Sequence, residues 1–230
     1  MQDASGRPTH EPRWHASLAV VAAMLLYITL PPRLTIGPGW IAPLIVLGVL
    51  IPLNIIAPRR HRETRRMRFW SIALIAIVNF FNLVSVLLLI SHFFHGEQAS
   101  TQSAARLLQI GAQIWITNIL VFALWFWELD GDGPDARADA SAATEVLNAD
   151  FLFPQMQMAI SSGKATPCID PMWKPRFFDY LYLAFTNSTA FSPADVMPLS
   201  QWAKALMLFE SLISLVTIAI VLARSVSLLK

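Results

Sequence analysis

Long apolar stretches separated by short polar connections dominate the pattern along the chain. A helix that crosses the hydrocarbon core of a bilayer needs about 20 mostly apolar residues. The stretches that meet or approach this length are 16–31, 39–57, 69–93, 105–128 and 202–228. A further stretch, 174–191, is shorter and more polar. The pattern predicts an all-α, polytopic membrane helical bundle of five or six transmembrane segments, with a short or re-entrant helix before the last span.

Prolines and a change in polarity divide the chain into regions. Pro31 and Pro32 end the first apolar stretch, because the proline ring clashes with a continuing helix. After Glu128 the sequence becomes acidic and rich in Ala, Asp and Pro, and is too polar to span a bilayer. The predicted regions are a polar N-terminal tail (1–15), a four-helix transmembrane region (16–128), an aqueous acidic loop (129–173), and a pore-like module of short helix, polar turn and final transmembrane helix (174–230).

Composition supports a membrane protein. The chain is 55% hydrophobic and 14% charged, whereas a soluble domain has about 25% charged residues. Its single cysteine, Cys168, excludes an internal disulfide and a cysteine-rich metal site. The sequence has no nucleophile–base arrangement, P-loop or dinucleotide fingerprint. We therefore expect no enzymatic activity, no cofactor, no metal site and no nucleic-acid partner. We expect the protein to be embedded in a lipid bilayer.

The orientation of the bundle in the cell (inner) membrane depends on the basic run 59–68, RRHRETRRMR. Short basic loops face the cytoplasm. If 174–191 crosses the membrane, six spans put this run, the loop 129–173 and both termini in the cytoplasm, and the turn 191–200 outside. If 174–191 instead re-enters the membrane, three segments lie outside: the basic run, the loop 129–173 and the turn 191–200. Both alternatives predict a cytoplasmic C-terminus.

The polar end of the short segment, TNSTAFSPAD, is the first candidate ion-binding region. The helical part, 177–190, would span about 21 Å at 1.5 Å per residue, against a hydrocarbon core of about 30 Å. Polar backbone at that depth has to be buried in protein or line a water-filled cavity. The residues that offer hydroxyl and amide oxygens there are Thr186, Asn187, Ser188, Thr189 and Ser192. An ordinary capped helix end is the alternative interpretation.

Glu210, inside the last apolar stretch, is the second candidate. A carboxylate within a membrane segment is costly and is a functional hypothesis by default. Glu210, Ser214, Thr217 and Arg224 are spaced so that they share one helical face. This face would line a pore or relay protons. The alternative is a glutamate that faces the bundle interior and pairs with polar residues of the fourth stretch, such as Gln109 or Gln113.

The segment 179–224 resembles the pore module of bacterial two-helix-type potassium channels. In that family an aromatic pore helix, a Thr-rich filter, an Asp and a Pro precede an inner helix. The residues that fit this frame are Asp179, Tyr182, Phe185, Thr186, Thr189, Asp195, Pro198, Ser200, Ala203, Lys204, Leu206, Glu210, Ala223 and Arg224. Aligned on Asp195, the filter positions 189–194 read TAFSPA, without the family's Gly-Tyr-Gly.

The resemblance implies a homo-oligomeric channel or channel-derived pore for monovalent cations, without standard potassium selectivity. Asp195 would concentrate cations at the outer face and Glu210 would face the axis. The block TNILVFALWFWELD, followed by a polar loop and DYLYLAFTNSTAFSPAD, also looks like a group of uncharacterised bacterial integral membrane proteins. That second likeness implies a fold and a membrane location only. The alternative function is a six-span transporter or a membrane scaffold protein.

Overall fold

The computed structural model describes residues 13–56, 65–94, 104–139, 148–162, 173–190 and 195–227. Some sequence predictions concern residues outside these ranges. They are Ser192, Cys168, all but the end of the N-terminal tail, residues 59–64 of the basic run, and parts of the loop 129–173.

The described residues form eight α-helices and one very short antiparallel pair of strands. The helices are α1 (Trp14–Ile28), α2 (Ile41–Ile56), α3 (Arg65–Phe94), α4 (Ala104–Leu129), α5 (Pro134–Asp139), α6 (Pro154–Ser162), α7 (Phe177–Ala190) and α8 (Gln201–Ser227). The strands are β1 (Phe151–Leu152) and β2 (Met197–Pro198), and 3₁₀ turns occupy Pro32–Leu34 and Asp130–Asp132. The prediction of an all-α fold is confirmed.

Among the described residues, three helices are long and apolar enough to cross a membrane. The segments are Arg66–Phe94, Ala105–Asp132 and Gln201–Val226, with mean hydropathies of 2.6, 1.7 and 2.4. The prediction of helices of membrane-spanning length is thus confirmed for the third, fourth and last apolar stretches. The helices in the first two stretches, α1 (Trp14–Ile28) and α2 (Ile41–Ile56), are shorter.

Helix α4 lies at the centre of the bundle and contacts α1, α3, α7 and α8. Its sequence explains this position, because apolar side chains are buried around much of its circumference rather than on one stripe. Phe122 and Phe126 are fully buried within it. Gly111 lets α8 approach closely, since the Val221 side chain fills the space that a Cβ would occupy.

The two ends of the bundle are named the Asp130 end and the Arg224 end, after a residue that lies at each. At the Asp130 end, where α4 ends, Arg68 of α3 donates a hydrogen bond to Asp132 over 3.2 Å, and Arg13 beside α1 lies 3.7 Å from Asp135. At the Arg224 end, α8 finishes beside the start of α4. Helices α1 and α3 therefore begin, and α4 ends, at the Asp130 end.

Helix α8 runs antiparallel to α4. The rings of Phe209 and Phe122 lie 6.2 Å apart, and further along, Val221 packs on Gly111. Because these contacts pair increasing α8 numbers with decreasing α4 numbers, α8 begins at the Asp130 end and finishes at the Arg224 end.

Helix α7 starts at the Asp130 end, and the chain returns to that same end before α8. The rings of Phe177 and Trp127 are 6.0 Å apart, which fixes where α7 starts. After α7, Met197 of β2 pairs with Leu152 of β1, and the Leu199 amide donates to the Asp150 carbonyl over 2.8 Å.

Strand β1 itself is tied to the end of α4, because the Asp150 amide donates to the Asp130 carboxylate over 2.7 Å. The chain therefore returns to the Asp130 end between α7 and α8.

Candidate functional site

Glu210 is completely buried inside the bundle, and α7 supplies partners for both of its carboxylate oxygens. The Asn187 Nδ2 donates to Glu210 Oε2 over 2.7 Å, and the Ser188 hydroxyl donates to Oε1 over 2.9 Å. All three side chains are at most 2% exposed. The last turn of α7 therefore ends directly against this carboxylate.

Further hydrogen bonds hold the end of α7 against α8. Asn187 uses its second Nδ2 hydrogen to donate to the Met207 carbonyl over 2.9 Å, and Ser211 donates its hydroxyl to the Asn187 carbonyl over 3.3 Å. Because these bonds involve backbone as well as side chains, the position of Asn187 relative to Glu210 is fixed from both helices.

The hydrogen bonds continue into α4 and α3. Ser214 donates to Ser188 over 3.0 Å, Asn118 donates to Ser214 over 3.1 Å, and Asn82 donates to Asn118 over 3.4 Å. We call Asn82, Asn118, Asn187, Ser188, Glu210 and Ser214 the Glu210 network. Every donor along this chain points toward the carboxylate, so each bond polarises the next in the same sense.

The network lies well inside the bundle. Glu210 follows Gln201, the first residue of α8, by about 14 Å of helix, and Asn118 precedes Leu129, the last residue of α4, by about 16 Å, both at 1.5 Å per residue. In the part of the chain that the structure describes, no Lys, Arg or His forms an ion pair with Glu210. Among the described residues, the hydrogen bonds to the carboxylate come from two neutral groups, the Asn187 amide and the Ser188 hydroxyl.

Only some of the site residues predicted from the sequence belong to the Glu210 network. They are Asn187, Ser188, Glu210 and Ser214. Thr217 is buried on the same face of α8, but none of the described residues forms a hydrogen bond with its hydroxyl.

Thr186 and Thr189 do not join the network. Their hydroxyls donate to the carbonyls of Tyr182 and Phe185, over 3.0 and 2.9 Å. Thr189 and Asp195 are exposed, and Ser192 is outside the described residues. The predicted polar set is thus split between the bundle interior and its surface.

Sequence reasoning missed Asn118 and named the wrong partners on α4. Gln113 donates to the Thr29 hydroxyl over 2.8 Å, and Gln109 accepts from Arg106 over 2.7 Å. The signal for Asn118 was its position as a single amide within the apolar run ITNILVF. Glu210 faces the interior of its own chain, not a surface that a second copy could share.

A second buried polar cluster positions the start of α7. Tyr180 donates its hydroxyl to Asp130 over 2.5 Å, and the amides of Asp150 and Phe151 donate to the other carboxylate oxygen. Arg137 donates to the carbonyls of Asp130 and Trp127. These bonds join α4, the segment after it and α7, so they set the angle at which α7 enters the bundle.

The chain matches no protein-family model, no curated protein and no solved structure.

Proposed function

We propose that the chain is an integral membrane protein that transports a monovalent cation, which binds the Glu210 carboxylate at the position where Asn187 and Ser188 hold it. The observation that carries this proposal is a fully buried carboxylate whose partners are all neutral. A buried charge without a partner is strongly unfavourable. A proton or a metal cation that binds the carboxylate would remove this cost.

The direction of α7 supports a cation as the ligand. The C-terminal end of a helix carries a partial negative charge, from carbonyl groups without helical partners. Helix α7 ends at Ala190, only two residues after Ser188. In many transporters a helix that stops inside the membrane provides such an end for Na⁺ or H⁺. Both the carboxylate and the helix end favour a cation here.

The enclosure of the site favours a transporter over an open pore. Glu210 and Ser188 have no exposed surface, so the ligand would be released only after the helices around it rearrange. The homo-oligomeric pore is the second candidate. It is favoured by the outward position of Thr189 and Asp195, both exposed, which would then line a channel between copies.

The membrane arrangement that we propose has five crossing helices, α1 to α4 and α8, with α7 re-entering. The end of the basic run, Arg65 to Arg68, lies at the Asp130 end. By the positive-inside rule this end would be cytoplasmic. The C-terminus would then lie outside, which differs from the cytoplasmic C-terminus expected from the sequence, because an odd number of crossings separates the termini.

Cysteine labelling tests this orientation. Cys168, in the loop after α4, should react with a membrane-impermeant maleimide only after the cells are permeabilised. A single cysteine introduced as Arg106→Cys, with Cys168→Ser, should react in intact cells, because Arg106 is exposed near the Arg224 end. The opposite pattern would reverse the orientation.

Flux measurements in liposomes test the function. The purified chain is reconstituted, and uptake of Na⁺, K⁺ and H⁺ is followed separately under an imposed gradient. We expect flux of one of these cations, and loss of that flux in Glu210→Gln. Thr189→Ala is the matched control, because Thr189 lies on the same turn of α7 but outside the network. It should transport normally.

Two results would contradict the transporter proposal. One is the absence of flux for all three cations in the wild-type chain. The other is a folded Glu210→Gln protein with wild-type flux. Flux that persists in Glu210→Gln but is lost in Thr189→Ala would support the pore between copies instead.

A further inference from the structure

A cleft at the Arg224 end combines cationic side chains with apolar walls. Arg33, His92 and Arg224 line it, together with apolar residues that include Leu89, Ile110 and Ile220. The cleft encloses about 550 Å³ of space free of atoms, part of it open to the surroundings. Its described lining contains two arginines and a histidine and no Asp or Glu.

The fold brings these three cationic residues from separate parts of the chain. Arg33 lies in the 3₁₀ turn after α1, and Ser85 of α3 fixes that turn by donating to the Leu34 carbonyl over 2.8 Å. His92 lies in the last turn of α3, where its Nδ1 is 2.7 Å from the Leu88 carbonyl. Arg224 lies in the last turn of α8. The convergence therefore depends on tertiary packing.

We propose that this cleft binds the headgroup of an anionic phospholipid. Guanidinium groups form paired hydrogen bonds with phosphate oxygens, and Arg33 and Arg224 would supply them. The apolar walls would hold the glycerol and the first methylenes of the acyl chains. This site lies away from the Glu210 network and does not depend on the proposed transport.

The alternative explanation needs no ligand. Cationic side chains in the last turn of a helix interact favourably with the helix dipole, and both His92 and Arg224 occupy such positions. Arg33 lies instead in the three-residue 3₁₀ turn Pro32–Leu34, which is too short to build a comparable dipole. A structural role would therefore predict no dependence on the lipid.

Lipid binding to the full-length purified chain tests the proposal. The chain is placed in nanodiscs of phosphatidylcholine with an increasing fraction of phosphatidylglycerol, and bound lipid and the thermal midpoint are measured. We expect saturable binding of phosphatidylglycerol and a rise in the thermal midpoint. The double variant Arg33→Gln, Arg224→Gln should bind at least about tenfold more weakly, since two charge-assisted hydrogen-bonding groups are lost.

Arg106→Gln is the matched control, because Arg106 is an exposed arginine near the same end that is not part of the cleft. It should bind the lipid as the wild type does. Should the double variant fail to fold, Arg33→Gln alone, at an exposed position, provides the comparison. Equal binding of both lipids, or equal loss in Arg106→Gln, would overturn the proposal. So would competition by inorganic phosphate alone at equal concentration, which would identify a free-anion site.

Discussion

Tyr180, in the first turns of α7, donates a hydrogen bond of 2.5 Å to the carboxylate of Asp130, just beyond the end of α4. Both residues are buried, at 0% and 1% exposure. This contact fixes the start of a helix whose other end touches Glu210. Helix α7 therefore connects the Asp130 end of the bundle to the Glu210 network.

Replacement of Tyr180 by Phe should destabilise the protein, because one buried oxygen of Asp130 loses its hydrogen-bond donor. A buried polar group left without its partner costs about 1–3 kcal/mol. The measurement is the thermal unfolding midpoint in detergent. Tyr182→Phe is the control, since Tyr182 is on the same helix but 49% exposed, and its midpoint should not change. Equal midpoints for both variants would show that the contact does not stabilise the fold.

Asn118 and Ser214 should behave as a coupled pair. Asn118→Ala and Ser214→Ala each break the same 3.1 Å hydrogen bond, so the destabilisation of the double variant should be less than the sum of the two single changes. Coupling energies between contacting residues are about 0.5–3 kcal/mol. Additive effects would mean that the two residues act independently.

The matched control for this cycle is Thr117→Ala combined with Ser214→Ala. Thr117 is the neighbour of Asn118, but its hydroxyl donates to a carbonyl of its own helix, that of Gln113, over 2.8 Å. Its effect should therefore add to that of Ser214→Ala.

Gly111→Ala should separate α4 from α8. A Cβ at this position would lie 2.5 Å from Cγ2 of Val221, which is too close for two carbon atoms. Overpacking of this kind costs about 1–3 kcal/mol, so the thermal midpoint should fall. Combining Gly111→Ala with Val221→Ala should restore part of the loss. Gly48→Ala is the control, because an added Cβ there would meet no atom of another described element within 4 Å. If the thermal midpoint fell as far in Gly48→Ala as in Gly111→Ala, the explanation would be contradicted.

A cross-link between β1 and β2 should show that the chain returns to the Asp130 end after α7. Leu152 and Met197 are paired across the two strands, and paired strand residues have Cβ atoms about 4.5–5.5 Å apart. With Cys168→Ser, the double variant Leu152→Cys, Met197→Cys should form a disulfide under mild oxidation, detected by gel mobility. Leu152→Cys with Leu222→Cys, near the opposite end of α8, should not cross-link.

The opposite result has a clear meaning. If α7 crossed the membrane, residues 152 and 197 would lie on opposite sides and no disulfide would form between them within a chain. Absence of the Leu152–Met197 cross-link in a folded protein would therefore reject the re-entrant arrangement.

Much of the fold could be predicted from the sequence because helix formation in apolar stretches is local. The segments around α3, α4 and α8 are apolar over enough residues to cross a bilayer, and this property does not depend on their neighbours. The first two apolar stretches also contain helices, α1 and α2, but these are shorter than the three candidate spans. The outline of the all-α bundle required no knowledge of packing.

The candidate site was only partly predictable. The common face of Glu210 and Ser214 follows from their spacing on one helix, and the structure places both in the network. Asn118 is on a different helix, so no spacing in the sequence connects it to them. The polar residues at the end of α7 could be recognised as a group, but not divided into those that face inward and those that face outward.

The apolar pattern of the sequence is enough to predict an all-α protein with several helices of membrane-spanning length and a glutamate within the last of them. These features depend on residues close together in the chain. Only the tertiary structure decided that Asn187 faces Glu210 while its neighbour Thr186 bonds to its own helix, and that β2 returns to β1. The physical reason is that rotation and depth of α7 are set by contacts with residues far away in sequence, chiefly Asp130, Met207 and Glu210.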